Sequence, residues 1–359
     1  MRISSHSQQG FSIVELLIAL VISVATIGGL FSIYLNTRTA QEVTEASSRV
    51  QESGRFAMEY LKRDIRMIGY RGCVSNNTPL TTINSKGIPA GYDPIASELI
   101  AYTIDDGWET GTQFEGKTGI TSIIKKGTDA IYIARMSSVS AQLSENQSDS
   151  SANIKVNQSS GVTFKKDEVI YISDCVTADI FTVTNSPNTK DGVITLTHAQ
   201  GTNETNNLSK AYQSNANIAR YQATLYFIGD TGRKNRQGAP IFALHQTVVD
   251  YGGATASYST QELIEGVENM KILYGEVLAS GNIKYVRHDK AAKTPNMQDV
   301  SAIQLGLIIS SQDEVRTTAD TQTYYIAQQA ITPQTQGAVN DKRLRHSFNT
   351  TVKIRNRRL

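Results

Sequence analysis

Proline and cysteine are both scarce in this chain. Seven prolines and 26 glycines in 359 residues exclude a collagen-like or wholly disordered chain, and 39% hydrophobic residues supply a sizeable core. The two cysteines, Cys73 and Cys175, lie in no CxxC pair and near no histidine cluster, which leaves no basis for zinc ligation. In a cytosolic protein they would be two unrelated thiols; in an exported one, a single disulfide is the natural reading. The histidines are scattered too: His6, His198, His245, His288 and His346. No HExxH, GxSxG or calcium-loop pattern occurs, so the sequence proposes no catalytic residue, metal or cofactor. A dominant charge is also missing. With 35 basic and 33 acidic side chains, a formal +2, the balance is too even for nucleic acid or a charged surface to be the main partner. The length allows about one to three domains.

What the chain does have is one long apolar run. Phe11 to Leu35 is 25 residues with a single charge, Glu15; as a helix it spans a hydrocarbon core of roughly 30 Å. A short polar leader, MRISSHSQQG, precedes it and carries Arg2. The run is longer than the about 7–15 residues of a secretory signal, and no small-residue cleavage site follows it. A plain membrane anchor accounts for everything except Glu15. A carboxylate four residues into such a helix costs about 2.5–3.5 kcal/mol and needs a partner.

Gly10-Phe11-Ser12-Ile13-Val14-Glu15-Leu16-Leu17-Ile18-Ala19-Leu20 resembles the prepilin motif of type IV pilins and type II secretion pseudopilins. The resemblance implies cleavage after Gly10 by a prepilin peptidase on the cytoplasmic side and N-methylation of Phe11. It also implies that Glu15 pairs with the terminal amine of a neighbouring subunit, which fits the physics: a buried carboxylate and a buried ammonium each offset the other's desolvation.

The helical pattern continues past the membrane. Val43, Val50, Gly54, Ala57, Leu61, Ile65 and Ile68 fall on one face, and Glu45–Arg49 and Glu59–Arg63 are favourable i,i+4 pairs. Gly69 and Gly72 then end the pattern. One helix from Phe11 to Ile68 is expected, packed onto the chain's own head rather than into a coiled coil. Gly28-Gly29 inside it reads either as a soft spot or as a site of close helix packing. Beyond Gly72 the period changes to alternation. Residues 129–136, 168–173, 179–184, 193–198, 223–228, 270–274, 303–309, 323–326 and 350–355 read as strands separated by polar turns. Ser137 to Ser160, rich in Ser, Asn and Gln, reads as a surface loop or insertion boundary. The fold class expected is α+β: a long N-terminal helix on a mainly antiparallel β head, with a second β lobe placed at about 128–200.

Gly111-Thr112-Gln113-Phe114-Glu115-Gly116-Lys117-Thr118 matches the phosphate-loop string GxxxxGK[ST]. The context is wrong: Asp105-Asp106-Gly107-Trp108-Glu109 upstream is no buried strand, and Gly119 and Gly127 leave no room for the helix whose N–H groups would hold phosphate. It reads as a Gly-rich turn. The basic end, Lys342 to Arg358, carries seven Lys and Arg and reads as a strand with one solvated face, or as a phosphate-binding edge.

Gly69-Tyr70-Arg71-Gly72-Cys73, Ser173-Asp174-Cys175, Gly266-Val267-Glu268-Asn269-Met270 with Leu273-Tyr274-Gly275, and Arg345 to Arg358 resemble PilW-family minor pilins. No match is recognised over most of 76–128 and 137–165. The implied organisation is a leader (1–10), a transmembrane assembly segment (11–35), the amphipathic half of the same helix (36–69) and a periplasmic head (70–359). The implied role is structural, not enzymatic: a minor pilin that helps initiate pilus assembly at or near the tip. Its implied partners are the prepilin peptidase, the inner membrane, other minor pilins, the major pilin and a possible tip adhesin. The alternatives are a type II secretion minor pseudopilin and a DNA- or surface-binding pilin. Positive charge ahead of the apolar run keeps the leader cytoplasmic, which puts Cys73 and Cys175 in an oxidising compartment. A disulfide between them is expected; two buried free thiols remain the competing reading.

Overall fold

The structure, a computed structural model, describes residues 12–73, 82–89, 92–94, 97–109, 111–158, 162–253, 255–289, 292 and 295–357. Apolar run and amphipathic stripe form one helix, α1 (Ile13–Arg66), about 81 Å long at the usual rise. The start expected at Phe11 lies outside the described residues. Ser12 caps the helix: its Oγ accepts from the Val14 N–H at 3.3 Å, and Glu15 Oε2 accepts from the Ser12 N–H at 3.0 Å, a reciprocal capping box. Hydroxyls inside the apolar half, such as those of Ser23, Thr26 and Ser32, donate to the carbonyls four residues back and so carry no free donor into lipid. The helix runs through Gly28-Gly29 without a break. It stops two residues short of Ile68, because Met67 and Ile68 tighten into a turn on the carbonyls of Asp64 and Ile65. Gly69 follows at φ +67°, and a Cβ there would lie 2.5 Å from a Glu98 carboxylate oxygen.

The head is built from β1 (Thr82–Ile83), β2 (Leu99–Ile104), β3 (Thr128–Gln142), β4 (Ile154–Asn157), β5 (Val169–Ser173), β6 (Ala178–Thr182), β7 (Thr189–Lys190), β8 (Val193–Leu196), β9 (Asn217–Lys234), β10 (Pro240–Asp250), β11 (Ser257–Glu265), β12 (Val267–Val277), β13 (Ile283–Val286), β14 (Val300–Glu314), β15 (Tyr324–Ile326), β16 (Gln329–Ile331) and β17 (Arg343–Lys353). The largest sheet runs β1-β6-β5-β9-β10-β11, with β3 joining β2 to the other edge of β9. Only β1–β6 is parallel. β9 is its spine: residues up to Arg220 pair with β5, and residues from Ala223 pair with β10. A second sheet, β13-β12-β14-β17, is antiparallel throughout.

Three large clusters and a small fourth one (Ile308, Tyr324, Ile326 and Ile331) make up the core of the described residues. The first joins α1 (Val50, Ala57, Leu61, Ile65) to Met270, Ile272, Leu305, Leu307 and Val352 of the second sheet and to Tyr226 and Leu244 of the first. The second is aromatic-rich, around Tyr102, Phe114, Tyr132, Phe227 and Tyr251. The third gathers Leu143, Ile154, Ile172, Phe181, Leu196 and Ile218 beneath the three-stranded sheet β4-β8-β7. Ser137 to Ser160 is not simply a loop: β3 extends through it to Gln142, and β4 lies within it.

Candidate functional site

Among the described residues one helix, α1, is long and apolar enough to cross a membrane. Among the described residues, nothing in the head covers it from Ile13 to Glu42. No residue of α1 before Val50 is buried, Val43, Ala46 and Ser47 are half-buried, and the large apolar side chains up to Leu35 range from 45% exposed at Leu35 to 77% at Ile13. A continuous apolar surface of this size marks a membrane or protein contact. Gly10 and Phe11 lie outside the described residues. Glu15 sits on the first turn, exposed, with its carboxylate on the Ser12 N–H; within this single chain it serves as a helix cap.

The other half of α1 is held by the head through residues that the apolar stripe alone does not reveal. Gly54 lies against the ring of Phe348 on β17, so closely that a Cβ would stand 2.3 Å from the ring carbons. Tyr60 donates to Gln246 Oε1 at 3.1 Å. Asp64 is buried beside the apolar stripe, receives the Tyr226 hydroxyl at 2.6 Å and pairs with Arg135 at 3.3 Å. At the C-terminal end, the Arg355 N–H donates to the Arg66 carbonyl and Asn356 Nδ2 to the Ile68 carbonyl, satisfying acceptors that a helix end leaves open. Glu98 then receives Arg71 at 2.7 Å and Arg357 at 2.9 Å, all three buried.

Cys73 and Cys175 are bonded, with Cα atoms 5.1 Å apart. Cys73 comes seven residues after the helix; Cys175, at φ 73°, occupies the β5–β6 turn. Asp174 organises that turn, accepting from the Val176 and Thr177 N–H groups and pairing with Lys210. Those bonds hold its carboxyl below the usual range against the opposing effect of burial.

The basic end is cationic and solvated only in part: Lys353 and Arg355 are exposed and alternate with buried Val352 and Ile354, as expected of a strand with one solvated face, but Arg343, Arg345 and Arg357 are buried. Its strand begins at Arg343, seven residues before the expected Thr350. Arg343 and Arg345 are 4% exposed and Arg357 is 7% exposed, each committed to carboxylates. Arg345 grips Glu268 through Nε (2.6 Å) and Nη2 (3.1 Å) and also meets Asp320 and Asp341; Arg343 meets Asp341 at 2.6 Å. Burial would raise the Glu268 carboxyl, but Lys125 and the two arginines hold it low. Burial lowers the Lys125 ammonium to about 8; Lys125 lies 4.0 Å from the Phe242 ring and donates to the Glu268 carbonyl. Burying ions is costly unless each finds a well-placed partner, and this cluster meets that condition.

The phosphate-loop string is built as a turn. Phe114 is fully buried among Tyr102, Trp108, Tyr132 and Tyr258, Glu115 accepts from the Gly111 N–H, and Lys117 lies over the Tyr258 ring. Turns follow it where a phosphate loop has a helix. Residues 105–109 are bends and loop, as expected; the strand ahead of them, β2, ends at Ile104. Among the described residues no group of three or more His, Cys, Asp and Glu is placed to hold a metal.

Two family models match the chain. The prokaryotic N-terminal methylation motif covers residues 5–31, a span whose described part, from Ser12, is the capped start of the exposed helix. The type IV pilus-assembly protein W family covers residues 225–356, from the middle of β9 past the end of β17. This is a type IV pilin-like chain with a PilW domain. Comparison with curated proteins and with solved structures gives no significant match. The PilW match contains Tyr226, Gln246, Phe348, Arg355 and Asn356, which contact the end of the helix, whereas Arg135, Glu98 and Cys175 lie outside it. The methylation motif and the long apolar helix fit a membrane-anchored pilin, and both matches point to a structural protein rather than an enzyme.

Proposed function

We propose that this protein is a minor pilin. Residues 1–10 are a leader removed by prepilin peptidase, Phe11 becomes the methylated N-terminus, and residues 11–35 hold the chain in the inner membrane before it enters a fibre. Residues 36–69 fix this rod to the head, 70–359, which faces the periplasm and includes a second β lobe at about 128–200. The protein joins other minor pilins and the major pilin in starting pilus assembly, near the tip. The observation that carries this reading is the division of α1: one unbroken helix, seated on a PilW domain from Val50 onward and uncovered up to Glu42. An uncovered apolar rod is stable only in lipid or against other such rods.

The test is Glu15→Ala. In a fibre the Glu15 carboxylate needs a partner charge, so this variant is expected to be processed normally and to be lost from sheared fibres. Normal recovery of the variant in fibres contradicts the assembly role given to Glu15.

A further inference from the structure

Beside the last turns of α1, the outer face of the largest sheet forms an open cleft of about 320 Å³, a size at which small ligands are held. Its wall is α1 at Tyr60 and Arg63, and its floor is β9 at residues 220–224 and β10 at residues 246–250. Thr224 stands opposite Val248, which stands opposite Ser259 of β11, and Gln246 stands opposite Gln261. Directly opposed residues share a face. The floor is therefore a platform of amides and hydroxyls around one apolar side chain, Val248, 42% exposed. Its charges cancel. Three guanidiniums and three carboxylates line the cleft; Arg135 pairs with Asp64 at 3.3 Å and Arg220 with Glu168 at 3.1 Å. Its polar groups are also set in place. Gln246 is 8% exposed, and its Oε1 accepts from the Tyr60 hydroxyl and from Gln261 Nε2, each at 3.1 Å. That fixes the amide, and no acceptor among the described residues meets its Nε2 donor. Asp250 is held by the Gly252 N–H on Oδ1 at 2.9 Å, which leaves Oδ2 to accept.

We propose that this cleft binds a neutral oligosaccharide that lies along β10, accepts from Gln246 Nε2, donates to Asp250 and sets the C–H face of a ring on Val248. The balanced charge selects neither phosphate nor a cationic peptide, and the polar floor does not suit an acyl chain. An extended peptide is held by backbone pairing at a sheet edge, whereas this cleft lies on a sheet face. A sugar hydroxyl both donates and accepts, which suits fixed donors and acceptors set side by side. Two residues along a strand advance about 6.8 Å, so Gln246 to Asp250 spans about 14 Å, more than one ring. The ligand would be an addition to the role proposed above and does not depend on it.

The experiment uses the full-length chain in a detergent without a sugar headgroup. Saturation transfer from protein to ligand is measured by NMR for chitotetraose and for maltotetraose, with a sulfated heparin tetrasaccharide as the charged comparison. Transfer to at least one neutral sugar is expected. Gln222→Ala with Asp250→Asn removes two polar partners from the floor and is expected to weaken that binding about tenfold, the effect of two modest hydrogen bonds. Val248→Lys, at an exposed strand position, is expected to abolish it by covering the platform. Val176→Ala, at a position 75% exposed beyond the far end of β5, should leave it unchanged. Transfer to neither neutral sugar, transfer to the sulfated sugar as strong as to the neutral ones, or binding unchanged in both cleft variants overturns the proposal.

Discussion

Gly54 has no side chain because Phe348 occupies the space. Its helical neighbours Val50, Ala57 and Leu61 mark the buried face by their hydrophobicity, whereas Gly54 is there for proximity. Gly54→Val drives two methyl groups into the ring and is expected to destabilise the chain by about 1–3 kcal/mol, read as a lower melting midpoint in detergent. Phe348→Ala in the same chain should make the Gly54 substitution cost less, as coupled neighbours do. Glu268 is the second single residue on which much depends, since Arg343 and Arg345 both close on it. Glu268→Gln leaves buried guanidiniums short of a counter-charge and is expected to cost about 3–5 kcal/mol, measured by denaturant titration. Asp341 gives the same cluster a pH signature. Burial works to raise its carboxyl, but Arg343 and Arg345 outweigh that and hold it at about 2. A carboxyl depressed on folding stabilises the protein above its unfolded value of about 3.9 and loses that contribution as the pH falls toward the folded value. Stability should therefore drop between about pH 4 and pH 2, and Asp341→Asn should flatten that part of the profile. An unchanged acid limb in Asp341→Asn rules out this carboxyl as its source.

At the scale of elements, the helix and most strands are legible because period decides them. The apolar stripe identifies α1 to within two residues at its C-terminal end, and alternation or short apolar runs locate β3, β5, β6, β8, β12, β14 and β15. β10 and β11 are not legible. β10 (PIFALHQTVVD) mixes buried His245, Gln246 and Thr247 with its apolar residues, and β11 (SYSTQELIE) is a polar edge strand. The basic start of β17 misleads for a physical reason: a buried, fully paired arginine and a solvated one look alike in sequence, and only the convergence of Glu268, Asp320 and Asp341 distinguishes them. At the candidate site, Glu15 and the two cysteines stand out by type and scarcity, whereas Asp64, Glu98 and Arg357 are ordinary charges until the fold brings them together. The Cys73–Cys175 bond links the segment after α1 to the β5–β6 turn across 102 residues. In the chain-entropy model closing such a loop contributes up to about 4.7 kcal/mol. Cys73→Ser with Cys175→Ser should lower the melting midpoint, and labelling of the native, non-reduced chain should find no free thiol. Labelling of both cysteines in most molecules contradicts the bond.

At the scale of the whole molecule, about 45 Å of helix, Ile13 to Glu42, projects without burial, and beyond the packing of its apolar stripe the contacts that fix it to the head among the described residues include the Phe348 contact, the Tyr60–Gln246 bond, the Asp64 network, the Arg355–Asn356 strap, the Glu98 pair and the disulfide. A load applied along α1 passes through these contacts into both sheets, which suits a subunit pulled from a membrane into a fibre. The lobe around Ile154, Phe181 and Leu196 lies outside the PilW match and meets the segment after the helix at the Cys175 turn, so substitutions on its surface away from that turn should leave processing and assembly unchanged. The central claim is that this rod is a pilin rod rather than a plain anchor, and the N-terminus of the protein recovered from membranes tests it most directly. Mass spectrometry of the N-terminal peptide should find a chain that begins at Phe11 with a methylated amine, and a Gly10 variant carrying a bulky residue should remain unprocessed. A chain that keeps residues 1–10, or one cut after the apolar run, contradicts it.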